Sequence, residues 1–277
     1  MDAPLNQVII PVNTQELFSA WNRFPEAVLY AGGTNIIGRQ DKNILDLPPV
    51  FLCLDNLAEL HKITRTEHFI DIGSMVKLNR ILNLGKIVPK AFYSCVEKIA
   101  GFQLRNLATI GGNICNPARL LDLCAPLTAL DAQYEFKNGS NTARWVLASR
   151  YHSQENKKLQ NKELLTRIRL PIHQWDYAVY KKFYHEDYYF AEALVFLAKT
   201  RKNILSEIRV ILKSGTIFRN KSGEDILNGK SLPLYRKTAD DFVENWREFL
   251  NSRTDESNFS KISILNSIRE NVYNLSE

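Results

Sequence analysis

Thr109-Ile110-Gly111-Gly112-Asn113 follows Gln103-Leu104-Arg105-Asn106 and runs on to Asp122 and Asp131-Ala132. A second glycine pair, Ala31-Gly32-Gly33-Thr34-Asn35, lies about 80 residues upstream, and two such loops can close on one diphosphate from opposite sides. Glycine carries no Cβ, so neighbouring N–H groups can turn inward and approach an anion closely. Each loop is therefore expected to offer a nest of backbone donors, with Thr34, Asn35, Thr109 and Asn113 adding short polar side chains. Hydrogen bonds to a charged acceptor contribute about 1.5 to 3 kcal/mol each, so a handful of them holds a pyrophosphate without arginine. A lone glycine pair reads as a tight turn. Two matched pairs, each followed by polar and then apolar residues, read as a clamp.

Outward from the clamp, Val8-Ile9-Ile10-Pro11 reads as a short strand, and Thr14 to Trp21 as a helix capped by Thr14 with Glu16 in reach. Ala27 to Ala31 reads as the strand that delivers the first loop. Val50 to Leu54 and His68 to Gly73 continue the β character around a short helix at Leu57 to Leu60. Leu78 to Leu84, Ala91 to Ile99 and the apolar run Leu120 to Leu130 have helical period. Lys137-Asn138-Gly139-Ser140-Asn141 marks a turn between strands. Asn161 to Leu170 is an element closed by Pro171, which holds its predecessor extended. Tyr177 to Phe183, Ala191 to Lys199 and Leu205 to Leu212 then read as three strands, and Ala239 to Leu250 and Ile262 to Tyr273 as two helices.

The 277 residues, 45% hydrophobic, suffice for one large or two moderate domains. A formal charge of +6 arises from 36 basic and 30 acidic residues spread along the chain, which reads as a solvated surface and not a nucleic-acid footprint. The start of the chain does not read as a signal peptide, and no apolar run approaches the roughly 20 residues of a membrane span. A cytoplasmic location is the expectation. Cys53, Cys95, Cys115 and Cys124 include no C-x-x-C pair, so neither a zinc nor an iron-sulfur spacing is present, and buried free thiols are expected.

The stretches Leu29-Tyr30-Ala31-Gly32-Gly33-Thr34-Asn35-Ile36-Ile37-Gly38 and Gln103 to Ile114, with Asp122 and Leu130-Asp131-Ala132 downstream, resemble the FAD-binding subunit of molybdenum hydroxylases, a family that includes the flavin subunits of xanthine dehydrogenase and carbon monoxide dehydrogenase. The resemblance covers nearly the whole chain. It implies an α+β protein with a PCMH-type FAD-binding fold of two α+β subdomains, about 1–55 and 56–172, followed by a C-terminal domain, 173–277, with a three-stranded sheet and helices. It implies FAD as cofactor, contacted by residues 29–36 and Thr109, Ile110, Gly111, Gly112 and Asn113.

Further positions take their meaning from the same resemblance. Asp122 matches a flavin-contacting aspartate, although the family's usual Ser-Asp-Leu is Leu121-Asp122-Leu123 here and its nearby proline is displaced to Pro126. Lys182 matches a lysine that reaches the flavin from the C-terminal domain, with Lys181 competing for the role because alternation sends only one of them to the cofactor face. Leu165 and Ile99 match positions that touch or pack on the flavin. Asp187-Tyr188 resembles a loop that brings an aromatic ring or an acid near the isoalloxazine. Where the family often has an arginine just before that loop, this chain has Tyr184-His185-Glu186.

The implied role is electron relay. A large partner subunit holds the molybdopterin cofactor, a small partner holds iron-sulfur clusters, and this chain's FAD passes electrons to NAD+ or another acceptor. Two alternatives remain open: a stand-alone FAD oxidoreductase of the same fold, which needs its own acid and base, and a non-enzymatic flavin-binding assembly module.

Overall fold

Each sheet of the protein is built from consecutive strands. The computed structural model describes residues 6–38, 47–116, 120–140, 142–153, 162–184, 192–252 and 258–275. Strands β1 (Gln7–Ile9), β2 (Val28–Tyr30) and β3 (Val50–Cys53) form a parallel sheet in the order β1-β3-β2. Helix α1 (Thr14–Arg23) connects β1 to β2, and α2 (Thr34–Gly38) follows β2. The cap of α1 is Asn13 and not Thr14: Asn13 Oδ1 accepts from Glu16 N–H at 2.8 Å, while Glu16 Oε2 accepts from Val12 N–H at 3.0 Å. This reciprocal arrangement satisfies two N–H groups, which explains why the cap falls three residues before the glutamate.

The middle sheet is antiparallel, in the order β4-β5-β8-β6-β7, from β4 (Ile63–Arg65), β5 (Phe69–Gly73), β6 (Gln133–Lys137), β7 (Ala143–Leu147) and β8 (Leu164–Pro171). Its inner face presents Ile70, Ile72, Tyr134, Phe136, Ile168 and Leu170 to a core completed by short helices. These are α3 (Leu78–Leu82), α4 (Lys90–Glu97), α5 (Phe102–Leu107), α6 (Ile110–Ile114), α7 (Cys124–Ala129) and α8 (Ala148–His152). The outer face is held by charge. Arg169 makes two bonds of 2.8 Å to Asp71, Arg167 pairs with Glu135, and the Trp145 ring lies against both guanidinium groups.

The C-terminal sheet contains one strand more than the sequence suggests. Strands β9 (Tyr177–Phe183), β10 (Glu192–Arg201) and β11 (Ile204–Ser214) are joined by β12 (Thr216–Arg219), in the order β12-β11-β10-β9. Gly215, at φ +63°, turns the chain back within a single residue, a geometry glycine adopts without steric cost. One face of this sheet, with Tyr180, Ala193, Val195 and Ile211, belongs to the same apolar core as the middle sheet. The other face packs on α9 (Lys221–Leu227), α10 (Arg236–Asn251) and α11 (Asn258–Asn274) around Phe196, Phe242 and Trp246. The apolar core therefore runs continuously across residue 172.

His152 makes that core sensitive to acid. Its Nε2 lies 2.8 Å from the Tyr134 hydroxyl, its Nδ1 is buried without a partner among the described residues, and burial pushes its pKa down to about 3. Unfolded, the imidazole takes up a proton near pH 6.5 that the folded chain refuses. This contribution is full above that pH and is lost at about 1.4 kcal/mol per pH unit as pH falls toward the folded value. Denaturant midpoints at pH 7, 6 and 5 should fall steeply for the wild type and less for His152→Gln. Equal slopes for the two proteins would refute this assignment.

Candidate cofactor site

The first glycine pair bridges β2 and α2. Gly33 sits at φ +68°, in the left-handed region, and a Cβ there would overlap the Tyr30 phenol. Gly32 is required for a different reason. A Cβ on it would stand 2.0 Å from the carbonyl oxygen of Leu107, with Leu107 C at 2.8 Å and Ala108 Cα at 3.1 Å. Leu107 and Ala108 immediately precede Thr109, so the backbones of the two glycine segments touch. Asn116 Nδ2 donates to Asn35 Oδ1 at 2.8 Å and ties the segments together a second time. Within α2, Ile37 N–H donates to Gly33 O at 2.9 Å, but the N–H groups of Gly32, Gly33, Thr34 and Asn35 have no acceptor among the described residues. Leu29, Tyr30, Ala31 and Ile36 are half-buried around them.

The second glycine pair is organised differently from its sequence reading. Gly111 and Gly112 are not a loop but the first turn of α6, with Thr109 as N-cap. Their N–H groups do not form a nest, because each is already bonded. Ile110 N–H donates to Val76 O at 3.0 Å, Gly111 N–H to Ser74 O at 2.8 Å, Gly112 N–H to Thr109 Oγ1 at 3.0 Å and Asn113 N–H to Thr109 O at 3.1 Å. Gly111 is glycine because a Cβ would stand 2.7 Å from Ser74 O. What this segment can still offer a ligand comes from side chains. Thr109 Oγ1 accepts one bond and retains its own hydrogen, and Asn113 Oδ1 accepts from Leu123 N–H at 3.3 Å and leaves its amide hydrogens.

That bond from Leu123 positions Asp122, which lies in a turn before α7 and not inside the apolar helix expected over Leu120 to Leu130. The helix begins at Cys124 because Pro126, lacking an N–H, is tolerated only in a first turn. Asp122 Oδ2 accepts from Lys182 Nζ at 3.0 Å, and Asp122 Oδ1 lies 4.0 Å from Lys213 Nζ. Register puts the paired lysines of β9 on opposite faces of the sheet. Lys182 stands opposite Ala193, on the face toward the first core, whereas Lys181 stands opposite Leu194 and pairs with Glu270 of α11 at 3.3 Å.

Ile99 and Leu165 are both buried in the first core. Tyr188 and its neighbour Asp187 lie outside the described residues. Arg105, present in the quoted sequence without an assigned role, organises this side of the site. Its Nη1 donates to the carbonyls of Glu97 at 3.0 Å, Ile99 at 2.9 Å and Ala100 at 2.5 Å, and so closes α4 onto the segment that leads to Thr109. Ser74, Asn116 and Lys213 carry no local signal of their roles, since their partners are 37, 81 and 91 positions away. Burial pushes the thiols of Cys115 and Cys124 up to about 11 and about 12, and that of Cys95 well above its ordinary value, which leaves all three protonated. Among the described residues, no group of three or more His, Cys, Asp or Glu side chains is arranged to hold a metal ion. No described helix is long and apolar enough to cross a membrane.

The donor set fits a dinucleotide. Open amides at the start of α2 meet the segment that leads to the hydroxyl and amide groups of α6, and Asp122, whose neighbour Leu123 donates to Asn113, has two nearby cations. Comparisons with known proteins agree. The chain is 31% identical over 157 residues to the xanthine dehydrogenase FAD-binding subunit of Escherichia coli O157:H7, covering 53% of this chain and 51% of that protein. It is 27% identical over 183 residues to the glyceraldehyde dehydrogenase medium chain of Sulfolobus acidocaldarius, covering 65% of each. The chain thus spans about half the length of the first of these relatives, and 13% of the xanthine dehydrogenase 2 of Arabidopsis thaliana. Its fold matches a chain of quinoline 2-oxidoreductase from Pseudomonas putida 86 with a TM-score of 0.82 at 19% identity, over 100% of this chain and 98% of that one. A chain of CO dehydrogenase from Oligotropha carboxidovorans matches with a TM-score of 0.82 at 19% identity, over 100% and 99%. Residues 4–173 match the family of the FAD binding domain in molybdopterin dehydrogenase, and the chain is a member of that family.

Proposed function

We propose that this chain is the electron-transfer subunit of a molybdenum hydroxylase, taking electrons from an iron-sulfur partner and passing them to NAD+ or another acceptor. The observation that carries the reading is the junction at Gly32 and Leu107, where the backbones of the two glycine segments meet. FAD supplies two-electron redox chemistry when bound, and the protein's part is to hold and tune it. The open amides of residues 32–35 and the side chains of Thr109 and Asn113 would hold the diphosphate. Lys182 would present its charge to the ring system from β9, and Ile99 and Leu165 would line it. A cation there favours added negative charge on the bound group.

The surface beside the site suits a partner. On α5, Phe102 is 59% exposed and Leu104 50%, apolar area that a second subunit would remove from water. Phe102→Ser with Leu104→Ser is expected to weaken assembly by about 10- to 100-fold, the loss of two buried anchors, while FAD binding persists. Affinity purification from the native cell tests the whole reading. The expected result is a complex containing molybdenum and iron together with flavin. A flavoprotein recovered with neither metal would overturn it.

A further inference from the structure

Lys182 and Lys213 both stand opposite Ala193 in their strands, so the three residues form one row across β9, β10 and β11 on the face toward the first core. The single carboxylate of Asp122 lies between the two ammonium groups. Lys182 Nζ is 3.0 Å from one oxygen and Lys213 Nζ is 4.0 Å from the other. All three side chains are nearly buried, at 12%, 16% and 7% exposure for Lys182, Asp122 and Lys213. Lys213 makes a further contact outside this pair.

In this geometry the ammonium of Lys182 is committed to Asp122. Turning it toward a cofactor would leave a buried carboxylate without its nearest counter-charge, which is costly in a medium of low dielectric. Lys213 removes that cost, since an approach of about 1 Å would bring it to the distance Lys182 now occupies. We propose that Lys213 is a positioning residue that holds the Asp122 charge and thereby frees Lys182 for the cofactor. This rests on the FAD reading above, in which Lys182 serves the bound ring. Lys213 itself does not touch the cofactor.

The test is a double-mutant cycle on the full chain, read as FAD affinity by quenching of flavin fluorescence. Lys213→Met is expected to weaken FAD binding about tenfold in the wild-type background and less than about twofold in a Lys182→Met background, the signature of an effect transmitted through Lys182. Lys213→Arg, which keeps the charge, should restore affinity. If the two-electron-reduced FAD loses about tenfold more affinity than the oxidised form, the midpoint potential falls by about 30 mV. Should Lys213→Met not fold, Lys213→Gln takes its place in the same comparison. Equal losses in both backgrounds, or no loss in the wild-type background, would overturn the proposal. Failure of the wild-type chain to bind FAD would instead overturn the cofactor reading on which it rests.

Discussion

Gly32→Ala is expected to lower FAD affinity by at least about 100-fold, the loss of two or more charge-assisted hydrogen bonds. The added methyl would overlap the Leu107 carbonyl oxygen at 2.0 Å, and the three atoms nearest to it are all backbone. The opposing segment has little freedom to withdraw, because Ala108 O accepts from Leu78 N–H at 2.9 Å and Ala108 N–H donates to Leu104 O at 2.8 Å. The first loop must therefore shift, and the amides of residues 33–35 move with it. Overpacking of this kind typically costs about 1 to 3 kcal/mol of stability. Gly38→Ala is the control, since a Cβ at Gly38 meets nothing within 4 Å. It should leave binding unchanged. Fluorescence titration of both variants decides the matter, and a Gly32→Ala protein that binds FAD within a few-fold of wild type would contradict the assigned junction.

Arg105→Leu should produce the larger loss of stability, about 3 to 5 kcal/mol, because the two hydrogens of one guanidinium nitrogen are shared among three carbonyls and hydrogen bonds to a charged group contribute about 1.5 to 3 kcal/mol each. Those carbonyls belong to Glu97, Ile99 and Ala100, and Ala100 adopts φ +48°, a left-handed conformation unusual for alanine. Without the arginine, the turn after α4 loses the partner that holds this conformation, and α5 is released from it. Ile99 and the approach to Thr109 then lose their fixed position. Urea denaturation should show the reduced midpoint, and FAD affinity should fall with it. An unchanged midpoint would mean that solvent replaces the three bonds without cost.

Much of this architecture was legible in the sequence, and the omissions share a cause. Strands such as Val50 to Leu54 and Tyr177 to Phe183 announced themselves through apolar pattern, and the two glycine pairs through their matched context. Misread features depended on partners distant in sequence. Nothing near Gly111 indicates that its N–H is bonded to Ser74, so the second pair looked like an open nest when its amides are closed. Asp122 falls outside the helix that the apolar run from Leu120 to Leu130 suggests, because Pro126 fixes the helix start two residues beyond it. The cap of α1 moved from Thr14 to Asn13 because the reciprocal bond to Glu16 sets the register. Strand β12 leaves little trace in the sequence because four residues carry little periodic signal, although Ser214-Gly215-Thr216 is a turn signature. Lys213 resembles any strand lysine until its row with Ala193 and Lys182 is seen. FAD itself follows from family resemblance, since a turn of open amides specifies a phosphate group and not the ring attached to it.

The central claim is that two glycine segments meet to hold a diphosphate-linked flavin. Titration of the cofactor-free chain with FAD and, separately, with FMN tests it most directly, because FMN has the same ring system but only one phosphate and no adenosine. FAD should bind with one-to-one stoichiometry, and FMN at least about 100-fold more weakly, as expected from the loss of two or more charge-assisted bonds. Equal affinity for FMN and FAD, or no binding of either, would contradict the account.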